Sequence, residues 1–302
     1  MKYQDLIDEA IEYGSEEKWN ECIECYEKAL RTYPKEAMLG DALDLALAYV
    51  EKGENRKGLE IIEDLMALDE EHPLPHYYLG LYHIKLDDKD KGLESFIKAY
   101  ENGYNTPSLL FNIALIYDDK GDYDKAIYYY EKTLELDPND FYANLNLGAI
   151  YQERNELERS LEIALNNLKV NSDKHLINYN IGVIYGLLGD YSKAEEHYLE
   201  ELTKDDFCKD TYYNLAIIYK DRQNYKKAKE FYLLGLKHNT NDSRIWYNLG
   251  CVHALLKDFK NAYDCFYAAF LINNKVLDYI KKDYELKEFT KTNYYQQLLS
   301  NK

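Results

Sequence analysis

The chain has 302 residues, 46% of them hydrophobic, which is enough to bury a sizeable core. Its 37 basic and 55 acidic residues give a net charge of −18, and because such a surface repels phosphate backbones, we expect no nucleic-acid partner. No apolar run approaches the roughly 20 residues that span a bilayer, and the first residues lack the apolar core of a signal peptide. With five scattered cysteines and no export signal, we expect a reduced, cytoplasmic protein that does not insert into membranes.

Taken in chain order, the sequence repeats one helical hairpin, which is clearest at 107–140. Apolar or small residues at positions 4, 7, 8 and 11 of this stretch mark one face of a first helix. Those at positions 20, 24 and 27 mark one face of a second helix. Gly121 supplies the turn between the two helices in a left-handed conformation, and Pro138 ends the second. The spacing predicts an antiparallel helix pair of 34 residues.

The same spacing places a first hairpin before two inserted residues, and then seven hairpins in unbroken register. The predicted units are 3–36, 39–72, 73–106, 107–140, 141–174, 175–208, 209–242 and 243–276. Position 20 carries a small residue that lets the two helices approach closely, and position 24 usually carries an aromatic ring expected to wedge between neighbouring hairpins. In 141–174 the second helix departs from this pattern, with Ala164 at the aromatic position, so the pattern specifies its packing least well.

Residues 277–302 do not continue the repeat. Stacked hairpins leave the apolar face of the last one open to water, and a cap must cover it. We therefore expect C-terminal capping helices whose apolar residues lie against the last hairpin, namely Leu277, Ile280, Leu286, Phe289, Tyr295 and Leu298. The alternative is that this tail lies in the groove of the stack as an internal ligand.

A period of 34 with this pattern resembles the tetratricopeptide repeat (TPR), whose signature is W-x₂-L-G-x₂-Y, then A-x₃-F, then P. Trp246, Leu249 and Gly250 match the first part, and Ala126 with Tyr130 matches the second. The resemblance covers eight successive units. It implies an all-α fold, a right-handed α-solenoid superhelix of stacked antiparallel helix hairpins. It also implies a non-enzymatic scaffold that binds other proteins in its concave groove.

Helical geometry predicts which side chains line that groove. At 100° per residue, positions 2, 6, 9 and 13 of each first helix point away from the hairpin core. Position 6 is asparagine in five successive repeats: Asn112, Asn146, Asn180, Asn214 and Asn248. Position 5 adds flanking rings: Tyr77, Phe111, Tyr179, Tyr213 and Tyr247. Packed helices lie about 8–10 Å apart and an extended chain rises about 3.3 Å per residue. We therefore predict an asparagine ladder that grips the backbone of an extended peptide about once every three residues.

The acidic balance favours a partner segment that is extended and neutral to basic. Several alternatives stay open. The amides are also explained if they join neighbouring helices to one another. The chain could be a regulatory receptor for a small signalling peptide, a self-assembling structural protein, or an enzyme with an unrecognised site. Its oligomeric state lies between monomer and weak homo-oligomer. Replacing Asn180 and Asn214 with alanine is expected to weaken partner capture at nearly unchanged melting temperature.

Candidate chemistry is sparse. Cys22 and Cys25 have the C-x-x-C spacing of redox and metal sites, but Cys22 occupies the small buried position of a helix, so core packing is favoured. His76 and His83 share a helical face at positions expected to be buried. No phosphate-binding loop, dinucleotide-binding glycine motif or Ser–His–acid arrangement is recognisable. We predict no catalytic residue, no metal site and no cofactor.

Overall fold

The computed structural model describes residues 2–35, 37–204 and 209–300, and every regular element in this part of the chain is helical. Glu36 and 205–208, where the sequence places the ends of the first and sixth hairpins, lie outside the described residues. The chain divides into two compact units, Met1–Ile150 (unit 1) and Tyr151–Lys302 (unit 2). Of the described helices, none is both long and apolar enough to cross a membrane.

Unit 1 is a stack of helix pairs, in which α1 packs on α2, α3 on α4, α5 on α6 and α7 on α8. The second helix of each of the first three pairs also packs on the first helix of the next pair. The helices are α1 (Tyr3–Ser15), α2 (Trp19–Thr32), α3 (Leu39–Glu51), α4 (Asn55–Leu68), α5 (Pro73–Lys85), α6 (Lys89–Glu101), α7 (Pro107–Asp119), α8 (Tyr123–Leu136) and α9 (Phe141–Glu153), whose last three residues belong to unit 2.

Unit 2 repeats this arrangement. Helix pairs α11–α12, α13–α14 and α15–α16 stack on one another, and α10 packs on α11. The helices are α10 (Leu157–Val170), α11 (Ile177–Leu187), α12 (Tyr191–Lys204), α13 (Lys209–Asp221), α14 (Tyr225–His238), α15 (Ser243–Leu255), α16 (Phe259–Ile272), α17 (Val276–Lys282) and α18 (Asn293–Ser300), with 3₁₀ turns at Tyr284–Leu286 and Phe289–Lys291. Within each unit the fold is therefore a TPR-like α-solenoid of stacked helix pairs.

Small residues let the helices of a pair approach closely, as the pattern predicts. A Cβ atom at Gly58 would lie 2.5 Å from the carbonyl oxygen of Ala46 on the partner helix. The turn between paired helices also follows the prediction, because Gly121 has φ 73°. At the same place in other hairpins Asp87 and Asn155 adopt φ near 60°, a conformation that Asn and Asp tolerate better than most residues.

The aromatic rings at position 24 are among the largest buried side chains of the stacks. Each is at most 4% exposed: Tyr26, Phe96, Tyr130, Tyr198, Tyr232 and Phe266. Such a ring first fills its own hairpin, where Gly182 leaves room for Tyr198 and Gly250 for Phe266. The ring of Tyr198 also belongs to the core cluster that contains Leu215 of the next hairpin. It therefore packs within its hairpin as well as between hairpins.

The connection between α10 and α11 is irregular, next to the repeat that departs from the pattern. Leu176 has φ 70°, and α11 begins only at Ile177. The carboxylate of Glu201, which is fully buried, accepts hydrogen bonds from the backbone N–H groups of Leu176 (2.6 Å) and Tyr179 (3.2 Å). A side chain of α12 therefore caps the start of α11.

The tail residues that the sequence places against the last hairpin are all buried in one cluster with Cys251, Ala254 and Phe266. They are Leu277, Ile280, Leu286, Phe289, Tyr295 and Leu298. The tail thus shields the apolar side of α15 and α16 from water.

Candidate functional site

The five asparagines of the predicted ladder lie on the first helices of successive pairs, and all are partly exposed. Asn112 and Asn146 belong to unit 1, whereas Asn180, Asn214 and Asn248 belong to unit 2. Their partial exposure allows each amide to meet a ligand. The hydrogen bonds of the side chains separate them into three kinds.

Two of the amides, one in each unit, donate to a buried tyrosine of the preceding hairpin. Asn146 Nδ2 donates to the hydroxyl of Tyr130 at 3.0 Å. Asn214 Nδ2 donates to the hydroxyl of Tyr198 at 3.1 Å. The phenol satisfies one of the two N–H groups of each amide, which leaves the other N–H and the carbonyl oxygen. The hydrogen bond between hairpins therefore uses one N–H group of each amide, and the second N–H group and the carbonyl oxygen remain available.

Two further amides lie beside the position-5 tyrosine of the preceding hairpin, and one of them is bonded to it. Asn248 Nδ2 donates to the Tyr213 hydroxyl at 3.3 Å and to the carbonyl oxygen of Arg244 at 2.9 Å. The amide of Asn112 lies near the Tyr77 hydroxyl. Tyr213, predicted as a flanking ring, therefore also holds a ladder amide in place.

Asn180 is the exception. The preceding hairpin carries Ala164 where the equivalent hairpins carry Tyr130 and Tyr198, so the phenol that bonds Asn146 and Asn214 has no counterpart here. Among the residues that the structure describes, no hydrogen-bond partner is found for the Asn180 side chain. Of the five amides, Asn180 is the least constrained.

The hydroxyl of Tyr232 shows the reverse situation. This ring is fully buried, but Asn248 turns to Tyr213 instead, and the Tyr232 hydroxyl has no partner in the described part of the chain. A buried unsatisfied hydroxyl is unfavourable, whereas the hydroxyl of Tyr198 is bonded to Asn214.

Matched Tyr-to-Phe substitutions should therefore have opposite effects. We expect Tyr232→Phe to raise the free energy of unfolding by about 1 kcal/mol and Tyr198→Phe to lower it by about 1 kcal/mol. Urea unfolding followed by circular dichroism measures both. A loss of stability in Tyr232→Phe would show that its hydroxyl has a partner.

All five position-5 rings pack against the position-24 ring of their own hairpin, with centroid separations of 5.7 to 6.2 Å. The pairs are Tyr77 with Phe96, Phe111 with Tyr130, Tyr179 with Tyr198, Tyr213 with Tyr232, and Tyr247 with Phe266. Burial raises the pKa of the Tyr77 and Tyr213 hydroxyls, so both stay protonated at neutral pH. The rings therefore form rigid flanks beside the amides.

Charge on this side of unit 2 is largely internally compensated. Arg244, the single basic residue at position 2 of the predicted repeats, pairs with Asp210 at 2.8 Å and with Asp242 at 2.7 Å. Its guanidinium also lies 5.0 Å from the centre of the Tyr213 ring. The charge of this arginine is therefore compensated within unit 2.

In unit 1, two of the predicted site residues line a shallow cavity of about 220 Å³. Phe111 and Asn112 form part of it, together with Ser108, Asp140 and Tyr142. Asp140 Oδ1 also accepts from the backbone N–H of Ala143 at 2.7 Å, which caps α9. The cavity combines an aromatic wall, an amide and a carboxylate.

At the other end of the array, Tyr247 contacts the chain's own tail. Its hydroxyl donates to Asp283 Oδ2 at 2.8 Å. Lys220 Nζ lies 3.6 Å from Glu285 Oε2 of the same tail. One predicted site residue is thus occupied by the C-terminal segment.

The two histidines and the two cysteines of the C-x-x-C pair all lie in buried or partly buried surroundings. Cys22 is buried, Cys25 is half-buried, both thiols are free, and burial raises the pKa of each. His76 Nε2 hydrogen-bonds the carbonyl oxygen of Glu70 at 2.8 Å, and burial lowers the pKa of His83. In the part of the chain that the structure describes, no group of three or more His, Cys, Asp or Glu side chains could hold a metal ion.

Comparison with known families agrees with the geometry. Models described as tetratricopeptide repeat match residues 107–140, 129–162, 176–200, 210–241 and 243–276. The chain is a tetratricopeptide repeat protein. TPR arrays generally mediate protein–protein interactions and are typically non-enzymatic. No curated protein matches the sequence.

Solved TPR structures are similar in fold. The C-terminal part of a TPR repeat-containing protein from Cytophaga hutchinsonii has a TM-score of 0.65 at 13% identity, over 78% of this chain and 98% of that one. PilF from Pseudomonas aeruginosa has a TM-score of 0.59 at 16% identity, over 74% and 98%. YrrB, described as a TPR protein with an unusual peptide-binding site, has a TM-score of 0.50 at 18% identity, over 60% and 92%. At these identities the likeness concerns the fold alone.

Sequence reasoning did not identify the phenols that hold the amides. The two bonded phenols share a spacing, because Tyr130 and Tyr198 each precede their asparagine by 16 residues. Tyr232 precedes Asn248 by the same 16 residues but is not bonded to it, so the spacing alone does not determine the bond. The same spacing leads from Ala164 to Asn180, which explains why that amide has no phenol.

Proposed function

We propose that this TPR protein is a non-enzymatic scaffold that binds an extended segment of a protein partner along the first helices of its repeats. The observation that carries the proposal is the amide–phenol hydrogen bond found in both units, Asn146 to Tyr130 and Asn214 to Tyr198. The bond fixes the orientation of a partly exposed carboxamide and leaves one donor and one acceptor unused.

A fixed carboxamide is well suited to hold a peptide backbone. Its carbonyl oxygen accepts from a backbone N–H, and its second N–H donates to a backbone carbonyl, whatever the side chains of the partner. Because the phenol already restricts the asparagine, little rotamer entropy remains to be lost on binding. The proposed peptide-binding residues are Asn112, Asn146, Asn180, Asn214 and Asn248, flanked by Tyr77, Phe111, Tyr179 and Tyr213, with Tyr247 covered by the tail.

Charge favours a neutral to basic segment. The net charge is −18, and Arg244 at the groove position is already paired with Asp210 and Asp242. Long-range attraction would then mainly speed the encounter and weaken with salt.

The proposal includes the repeat boundaries. We propose eight repeats, 3–36, 39–72, 73–106, 107–140, 141–174, 175–208, 209–242 and 243–276, followed by capping helices at 277–302. It assigns no catalytic residue, metal or cofactor.

Selection of peptides on the immobilised chain tests the proposal. A random peptide phage library is panned on the wild-type protein, and the affinities of the selected peptides are measured by fluorescence anisotropy. We expect Asn146→Ala together with Asn214→Ala to weaken binding about tenfold or more, since each lost hydrogen bond contributes about 0.5–1.5 kcal/mol. Asn166→Ala, an exposed asparagine on a second helix, is the matched control and should bind like wild type.

Asn214→Ala also leaves the buried Tyr198 hydroxyl without a partner, so the earlier expectation of an unchanged melting temperature needs revision. Combining it with Tyr198→Phe removes the donor and the acceptor together and restores most of the stability. If the selected peptides still bind the double variant Asn214→Ala, Tyr198→Phe with wild-type affinity, the asparagine ladder is not the binding element.

A further inference from the structure

The tail of unit 2 contains a short acidic turn, Asp283–Leu286, that reaches two successive first helices. Asp283 accepts from the hydroxyl of Tyr247 on α15 at 2.8 Å. Glu285 lies 3.6 Å from the ammonium group of Lys220 on α13. A cap that only covered the last hairpin would not need the second contact, because α13 belongs to the preceding one.

The acidic turn also covers a residue that is exposed elsewhere in the array. Position 9 of the first helices carries a partly or fully exposed apolar side chain in the seven other repeats: Ile11, Leu47, Leu81, Leu115, Ala149, Val183 and Ile217. At the same position α15 carries Cys251, which is only 1% exposed and shares a cluster with Leu286 and Phe289 of the tail. The tail therefore lies where the other first helices face solvent.

The hydrogen bond to Tyr247 resembles those of the ladder. The position-5 tyrosine of the preceding repeat, Tyr213, pairs with the asparagine of the next repeat, Asn248. For Tyr247 there is no following asparagine, and the carboxylate of Asp283 takes that place. Because a carboxylate only accepts, Tyr247 acts here as the donor.

The surface beneath the turn has a defined chemistry. It offers two donors for carboxylates, the Lys220 ammonium and the Tyr247 hydroxyl, and an apolar floor that includes Cys251 and Ala254. Lys220 is mostly shielded, with 17% of its side chain exposed, and such a charge pairs more strongly than a fully solvated one.

We propose that this surface is an acceptor site for an acidic turn, occupied in the free protein by Asp283–Leu286. A partner segment with two carboxylates separated by one residue and followed by an apolar side chain binds there by replacing the tail. This site extends the proposed partner binding to the end of unit 2, and binding at this site does not involve the ladder asparagines. The site differs from the rest of the array in selecting an acidic segment.

Alkylation of Cys251 by iodoacetamide, resolved by site with mass spectrometry, tests the first half of the proposal in the full chain. We expect Asp283→Asn with Glu285→Gln to release the turn and to speed alkylation of Cys251 about tenfold or more, since two polar contacts are lost. Cys265, buried on α16 away from the tail, is the internal control and should react as slowly as in the wild type. An unchanged rate at Cys251 would overturn the proposal.

A peptide added in trans tests the second half. A blocked peptide with the sequence of residues 281–288, KKDYELKE, should restore protection of Cys251 in the released variant. The same peptide with Asn in place of its Asp and Gln in place of its first Glu should not restore protection. Adding Lys220→Glu to the released variant should abolish protection by the acidic peptide. Equal protection by both peptides, or none by either, would refute an acceptor site for carboxylates.

Two outcomes separate this inference from other effects. If Cys265 also reacts faster in the double variant, the loss of protection is global and the double variant cannot be used. Tyr247→Phe, which removes one donor and keeps the ring, is then tested in its place: it should speed alkylation of Cys251 and leave Cys265 unchanged. Failure of the Asn146→Ala, Asn214→Ala test would refute the ladder and leave the tail result untouched, because none of the alkylation measurements involves those amides.

Discussion

Replacing Glu201 with alanine is expected to lower the free energy of unfolding by about 3 kcal/mol or more. The carboxylate is fully buried and accepts from the backbone N–H groups of Leu176 and Tyr179. Alanine would leave both N–H groups at the start of α11 without this acceptor. It would also release Leu176 from a left-handed conformation that an L-residue rarely adopts without support.

Urea unfolding followed by circular dichroism measures this loss. The neighbour Glu200 is exposed on the same helix, and Glu200→Ala should change the free energy of unfolding by no more than about 0.5 kcal/mol. Glu201→Gln should fall between the two, because its carbonyl oxygen can accept one bond while its amide group meets a donor. Equal effects of the two alanine variants would mean that the cap contributes nothing.

The helix pairs could be predicted from the sequence because the residues that determine them are close together in the chain and recur in each repeat. The apolar spacing, the small residue at the close approach and the turn residue with positive φ recur every 34 residues, so one well-formed stretch such as 107–140 specifies the others. Gly58 and Gly121 behave as their positions require, since one lies against the Ala46 carbonyl and the other is left-handed.

The cap by Glu201 could not be predicted in this way. At the equivalent position of other hairpins the chain has Ala99 and Ala269, both buried. The pattern therefore predicts a small apolar residue at position 201. The backbone groups that it satisfies begin 25 residues earlier, in a connection that has Ser172 where Pro34 and Pro138 end other hairpins. A long-range contact of this kind leaves no periodic signal.

The candidate site was predictable in part for the same reason. Helical geometry predicts that the amides point away from the hairpin core, and all five side chains are partly exposed. The partners of Asn214 and Asn248 depend on which neighbouring hydroxyl is nearer, and that choice is made by packing between hairpins. The contact of Tyr247 with Asp283 depends on the path of a non-repeating tail, for which no other unit serves as a template.

Two glycine-to-alanine substitutions inside helices should have opposite effects on stability. At Gly58 on α4, a methyl group would lie 2.5 Å from the carbonyl oxygen of Ala46 and 2.6 Å from Val50 Cγ2 on α3. A backbone atom cannot move aside without separating the paired helices, and such overpacking costs about 1–3 kcal/mol. At Gly186 on α11 nothing lies within 4 Å of the added methyl, so alanine only reduces the backbone entropy of the unfolded chain.

We therefore expect Gly58→Ala to lower the free energy of unfolding by about 2 kcal/mol, even though alanine is the better helix former by about 1 kcal/mol. Gly186→Ala should raise it by about 0.5–1 kcal/mol. Both values follow from urea unfolding, and because the two substitutions have identical intrinsic propensity, the difference between them isolates the close approach of α3 and α4. A stabilising effect at Gly58 would show that these helices separate at little cost, so that small residues at this position do not determine how tightly a hairpin closes.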